Sequence, residues 1–242
     1  MTGLAKPSRL WQTLRRAPGS PQNLAWPILV GGILLVIAWQ VLQWQTSYLV
    51  QNSYSGAAKS FVTSVSAPIG EESLKIGLGI VVGSAFSGIA SVGTWLGQKR
   101  RGERRSGIYP LMMRAWRRMS LLVFLIVTTV FAISESLGGG LDTGVVTPLG
   151  AVLKLLAHPS FSILAVVVSL EAKPRTVLLV ALGYGFHSTM NLIVGHLTGW
   201  VESAAYFNAL FLIMVFDVWV LFRWYPSIPA TIQGVFRRRA TN

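Results

Sequence analysis

The chain has 242 residues, of which 52% are hydrophobic and only 12% charged, with a mean hydropathy of +0.55. That balance excludes an ordinary soluble domain and leaves room for about six membrane spans of roughly 20 residues each. There is no cysteine, so disulfides and thiolate metal sites are excluded as well.

The net charge of +13 does not point to nucleic acid, because the basic residues fall in clusters beside apolar segments. Lys6, Arg9, Arg15 and Arg16 precede the first apolar run. Lys99, Arg100, Arg101, Arg104, Arg105, Arg114, Arg117 and Arg118 lie between the second and third. Lys173 and Arg175 follow the fourth, and Arg223, Arg237, Arg238 and Arg239 follow the sixth. This is the positive-inside pattern, with anionic lipid as the partner of the basic loops rather than nucleic acid.

In chain order, residues 1–25 are polar, basic and interrupted by Pro7, Pro18 and Pro21, and read as a cytoplasmic tail. The run from Trp26 to Leu42 reads as a retained signal anchor, since no small-residue cleavage site stands beside it. Residues 43–68 are expected to be a mixed external segment with some interfacial helix. The second span is placed at Glu71 to Gly97, where Gly79/Gly83 and Gly93/Gly97 form two GxxxG pairs suited to close helix contact. A basic loop over 98–118 returns the chain to a third span, Met119 to Leu137, closed by Gly138-Gly139-Gly140.

A fourth span falls within 148–170. His158 precedes Pro159 there, which predicts a kink or a broken helix. The fifth span is Thr176 to Leu197, the sixth Ala204 to Phe222, and residues 223–242 form a second basic tail. The expected fold is an all-α polytopic membrane bundle over 26–222, with both termini cytoplasmic. Its expected home is the cell membrane, as a multi-pass protein of a prokaryotic plasma membrane.

Sidedness concentrates the polar residues. If the first span runs outward, Glu71, Glu72, Glu135, His158, His187 and Asn191 all fall toward the external side. Ionisable groups at membrane depth are costly and mark functional positions. Glu71 and Lys75 share one helix face, with Glu N-terminal to Lys, and Glu72 projects about 100° away. Burial and mutual repulsion of two carboxylates, offset by an ammonium, can tune one of them to take a proton from water. The structural alternative is a charged cap at a helix start. His187 and Asn191, four residues apart, can act as a donor pair for an oxyanion or as interhelical hydrogen-bonding groups. His196 reads as an interfacial residue, and Asp217 is intramembrane with no assigned role.

Taken together, EESLK (71–75), FAISE (131–135), His158 and HSTMN (187–191) resemble the motif series of the PrsW family of intramembrane proteases. That family is related to the CAAX-prenyl-protease and bacteriocin-processing membrane enzymes. The resemblance covers roughly residues 71–191. Prenyl-protease relatives typically carry Arg after the Glu pair and His where this chain has Glu135, so the PrsW branch is the nearer one.

The resemblance implies peptide-bond hydrolysis by a glutamate-activated water, on a single-pass membrane-protein substrate of the anti-sigma-factor type, near the extracytoplasmic face. It would make Glu71 the general base, with Glu72 and Glu135 orienting it. His187 and Asn191 would stabilise the oxyanion, His158 would assist, and Lys75 would support the pair. A metal-free site is the preferred reading. Zinc held by Glu71, Glu135, His158 and His187 is the alternative, although HExxH is absent. A proton- or ion-coupled transporter is the competing class, and it is disfavoured because no inverted repeat is evident.

Overall fold

The computed structural model describes residues 22–102, 107–138, 148–169, 175–196 and 199–224, and every long element in it is an α-helix. The first helix, α1 (Gln22–Gln51), runs well past Leu42, where its apolar run ends. The chain then reverses in four residues. Ser53 and Tyr54 take left-handed φ values of 49° and 53°, and the Ser55 hydroxyl accepts from the Ala58 N–H to start the next helix.

From there a single helical run reaches Arg100: α2 (Gly56–Phe61), a π-helical turn (Val62–Ser66) and α3 (Ala67–Arg100). The external segment expected over 43–68 is therefore a helical hairpin. Glu71 also does not begin a helix, as the sequence suggests. It lies fifteen residues inside a helical run that starts at Gly56. A capping role for the Glu pair is removed, because Glu72 has no free helix N-terminus nearby. At 45 residues this run is about 68 Å long, more than twice a hydrocarbon core of about 30 Å. Part of it therefore projects beyond the apolar layer.

The remaining helices are α4 (Ile108–Gly138), α5 (Pro148–Ser169), α6 (Arg175–His196) and α7 (Gly199–Trp224). The third span is thus longer than its apolar stretch: Arg114, Arg117 and Arg118 lie on the helix rather than in a loop. Among the described residues four segments are long and apolar enough to cross a membrane: Trp26–Gln51, Gly56–Arg100, Val177–Val194 and Ala204–Phe222. Met119–Ser134 and Val152–Val166 are shorter apolar stretches. The chain is an all-helical membrane bundle.

Helix α3 is the hub, packed against α1, α4, α5 and α6, while α7 closes the far side on α5 and α6. Glycine explains how α4 comes so close. A Cβ on Gly83 would strike the Ser120 backbone, and one on Gly79 would meet Phe124 Cβ at 2.9 Å. On the opposite side, a Cβ on Gly77 would lie 3.0 Å from the Gly31 carbonyl of α1. The second GxxxG pair does not behave this way. Among the described residues nothing lies within 4 Å of a Cβ on Gly93, and only the Arg101 side chain approaches Gly97.

Of the kink or broken helix expected at His158-Pro159, the broken helix is absent, since α5 is continuous through Pro159. Membrane helices tolerate an internal proline where neighbours compensate the freed carbonyl, and α5 buries Ala157, His158, Phe161 and Ser162 on either side of Pro159. The tails over 1–21 and 225–242, the turn at Gly139 and Gly140, and the side chains of Glu135 and His196 lie outside the described residues.

Candidate active site

Glu72 is the centre of the polar cluster, with no solvent exposure. Its Oε1 receives Lys75 Nζ at 2.7 Å and His187 Nδ1 at 2.8 Å. Its Oε2 receives the Ser162 hydroxyl at 2.5 Å. A carboxylate withdrawn from water needs such donors, because a buried unpaired charge costs many kcal/mol. Three helices supply them: α3 through Lys75, α5 through Ser162 and α6 through His187.

Lys75 is equally buried. Its Nζ contacts Glu72 Oε1 at 2.7 Å, His158 Nδ1 at 2.8 Å and Glu71 Oε2 at 3.5 Å. An ammonium has three donors and no acceptor, so these partners occupy its full capacity. The Phe131 ring faces it at 4.9 Å, a cation–π distance. Because Lys75 can only donate, His158 Nδ1 is the acceptor and the His158 ring proton sits on Nε2. At Glu72 the roles reverse: the carboxylate accepts, so His187 donates through Nδ1 and turns Nε2 the other way.

Glu71 differs from its neighbour in environment. About a quarter of its side chain is exposed, 26%, against none for Glu72. It lines a cavity of about 430 Å³ between α1 and α3, whose walls are mainly apolar and include Leu35, Trp39, Leu42, Leu74 and Phe131. Its Oε2 lies 4.0 Å from His187 Nε2. One carboxylate is thus buried among three donors, and the adjacent one meets an open apolar cavity.

The two histidines meet edge to face, with ring centroids 5.7 Å apart, and Phe161 stacks on His187 at 4.7 Å. Glu71, Glu72, Lys75, His158 and His187 are thus gathered at one place. Asn191, one turn along α6, donates its Nδ2 to the Thr63 carbonyl in the π-helical turn at 2.8 Å. It ties α6 to that turn, with a second amide hydrogen remaining. The side chain of Glu135 lies outside the described residues.

Sequence reasoning missed Ser162, although its spacing of four from His158 places both on one face of α5. It also missed the hydrogen bond of 2.6 Å between Ser73 and Tyr184, which joins α3 to α6 just beside the cluster. Ser73 lies within EESLK and Tyr184 three residues before His187, but nothing in a hydroxyl's sequence position shows which helix it meets.

A metal ion tests poorly against this arrangement. Glu71, Glu72 and His158 each offer a ligand atom, all within 4.8 Å of one another. The Lys75 ammonium, however, already touches all three residues. A divalent ion at about 2.0–2.2 Å from such ligands would have to displace it. Among the described residues, Lys75 thus stands where a metal held by Glu71, Glu72 and His158 would lie.

The cluster surrounds one buried carboxylate with three donors, holds two imidazoles in defined orientations, and presents a second carboxylate to an apolar cavity. No family model, no curated protein and no solved structure matches this chain.

Proposed function

We propose that this chain is an intramembrane endopeptidase that cleaves a membrane-protein substrate with a glutamate-activated water. The observation that carries this reading is the division between the two adjacent glutamates. Glu72 is fully buried and held by Lys75, His187 and Ser162, whereas Glu71 is partly exposed on the cavity. A general base must reach the water it deprotonates, and Glu71 is the carboxylate with that access. The motif series in EESLK, FAISE, His158 and HSTMN supports the same reading.

In the proposed reaction, Glu71 takes a proton from water as the water oxygen bonds to the scissile carbonyl carbon. The carbonyl oxygen becomes an oxyanion facing the donors on α6. His187, held through Nδ1 by Glu72, offers Nε2 on the Glu71 side and donates from it when the ring is protonated. Asn191 can contribute its second amide hydrogen. The C–N bond then breaks, and the leaving nitrogen receives the proton held by Glu71. The apolar cavity would accept substrate side chains beside the scissile bond, as expected for a chain segment drawn from a membrane helix. His158 and Lys75 position the carboxylates.

The test is Glu71→Gln in the full-length chain, reconstituted with single-pass membrane peptides and read by mass spectrometry of the products. Cleavage by the wild type and its loss in a variant that still folds is the expected result. Cleavage retained by the variant rejects Glu71 as base. A proton-coupled transporter remains the second reading, favoured by one observation: Asp217 is buried on α7, and its Oδ2 has no hydrogen-bond partner among the described residues.

A further inference from the structure

Lys75 occupies an unusual position. Its ammonium stands among two carboxylates and one imidazole, Glu71, Glu72 and His158, the kind of N and O donor set that ordinarily collects a divalent metal. We propose that Lys75 is the resident cation of this site: its ammonium takes the place of a metal ion, and it fixes the His158 tautomer and the position of the Glu72 carboxylate. Lys75 is in these terms a positioning residue, acting through Glu72 and His158.

Three observations carry the assignment independently of any peptidase activity. First, the ammonium's three donors meet three acceptors, at 2.7, 2.8 and 3.5 Å, one from each residue of the donor set. Second, the Phe131 ring faces the ammonium at 4.9 Å. An aromatic face attracts an ammonium but supplies no lone pair to a metal, and it covers a side where a zinc site would keep a fourth ligand or a water. Third, charge opposes a second cation. Glu71 and Glu72 carry two negative charges at most, and Lys75 already offsets one of them in a fully buried position. A divalent ion added beside the ammonium would leave the cluster with an uncompensated positive charge in low dielectric.

The same geometry makes a reciprocal prediction. Trimming Lys75 to alanine removes the cation and its four-carbon stem together. The two carboxylates and the His158 Nδ1 lone pair then converge on a space without a counter-charge. Such a space has the charge and donor set of a divalent site.

The experiment uses the full chain in detergent micelles, titrated with Co²⁺ and followed by its visible absorption and by the melting temperature. The wild type is expected to take up no stoichiometric Co²⁺. Lys75→Ala is expected to bind one equivalent and to melt higher with Co²⁺ present, and both effects should vanish when His158→Ala is added. Stoichiometric Co²⁺ binding by the wild type that is lost in His158→Ala overturns the proposal, as does a folded Lys75→Ala that binds none.

A second measurement needs no variant to fold. In ¹⁵N-histidine-labelled wild-type protein, which contains three histidines, the ring nitrogens of His158 are expected to show an unprotonated Nδ1 and a protonated Nε2. A protonated Nδ1 on His158 means that Lys75 is not its donor, and the assignment fails. Because neither readout is cleavage, they stand or fall separately from the peptidase reading.

Discussion

Lys75 Nζ lies 2.7 Å from Glu72 Oε1, and both side chains are completely buried. The pair is one turn apart on α3, yet its environment comes from α5 and α6 as well, through Ser162, His158 and His187. Its stability is therefore a property of three helices docking together. Truncating one partner of a buried pair costs about 3–5 kcal/mol, because the other charge is left uncompensated, while replacing both by apolar groups of similar size can be nearly neutral. Lys75→Met and Glu72→Leu are each expected to lower stability by about that amount, and the double variant by clearly less than the sum. Denaturant unfolding in detergent, arranged as a double-mutant cycle, measures this; additive losses would show that the two charges do not interact.

Ser162 is expected to matter more than a serine usually does in a membrane helix. Its hydroxyl is the donor to Glu72 Oε2 in a fully buried setting. Hydrogen bonds to charged groups contribute about 1.5–3 kcal/mol, so Ser162→Ala is expected to destabilise by that order and Ser162→Thr much less. Equal stability of Ser162→Ala and wild type would mean that Glu72 finds another donor.

The glycines of α3 give a contrast within one helix. Gly83 lies against the Ser120 backbone, whereas a side chain at Gly93 would enter open space. Gly83→Val is expected to separate α3 from α4 and prevent accumulation of folded protein. Gly93→Val is expected to fold and melt within about 1 kcal/mol of the wild type, the cost of an ordinary β-branched substitution in a helix. Folded yield and melting temperature of the two variants check this directly.

The cavity beside Glu71 predicts a steric effect on turnover. Ala38, Ala67 and Gly70 are its small lining residues. Ala67→Leu is expected to slow cleavage about tenfold or more, which needs only about 1.4 kcal/mol of lost substrate binding, while leaving the Glu72 hydrogen bonds intact. Unaltered cleavage with a filled cavity would place the substrate elsewhere.

Asp217 separates the two functional readings. It is buried and one of its oxygens has no partner among the described residues, but it belongs to neither the Glu72 cluster nor the cavity. Under the peptidase reading, Asp217→Asn is expected to leave cleavage within about twofold of wild type, well under the tenfold that 1.4 kcal/mol would produce. Substrate-dependent proton flux into reconstituted vesicles, abolished by Asp217→Asn, would instead support transport.

Much of the architecture was legible in the chain. Apolar runs located the spans, because helices crossing a lipid layer must be long and uncharged. Charge clusters implied that Glu71, His158 and His187 share a level, and the structure does bring these three together. The segment over 43–68 was harder to read. Its polar residues mask a helical hairpin that is held by tertiary contacts such as Gln45 to Ser66 and Asn191 to Thr63. The broken helix expected at Pro159 did not form: a local preference yielded to the packing of α5 around His158 and Phe161.

Composition and charge spacing alone establish a helical membrane protein whose costly polar residues gather in a few short motifs. The tertiary structure decided what each of them faces. Glu71 and Glu72 are adjacent and chemically identical, and one step along a helix turns a side chain by about 100°. Which of the two is sealed by Lys75, Ser162 and His187, and which meets the cavity, depends on where α1, α5 and α6 lie around α3. No local pattern in the sequence encodes that placement.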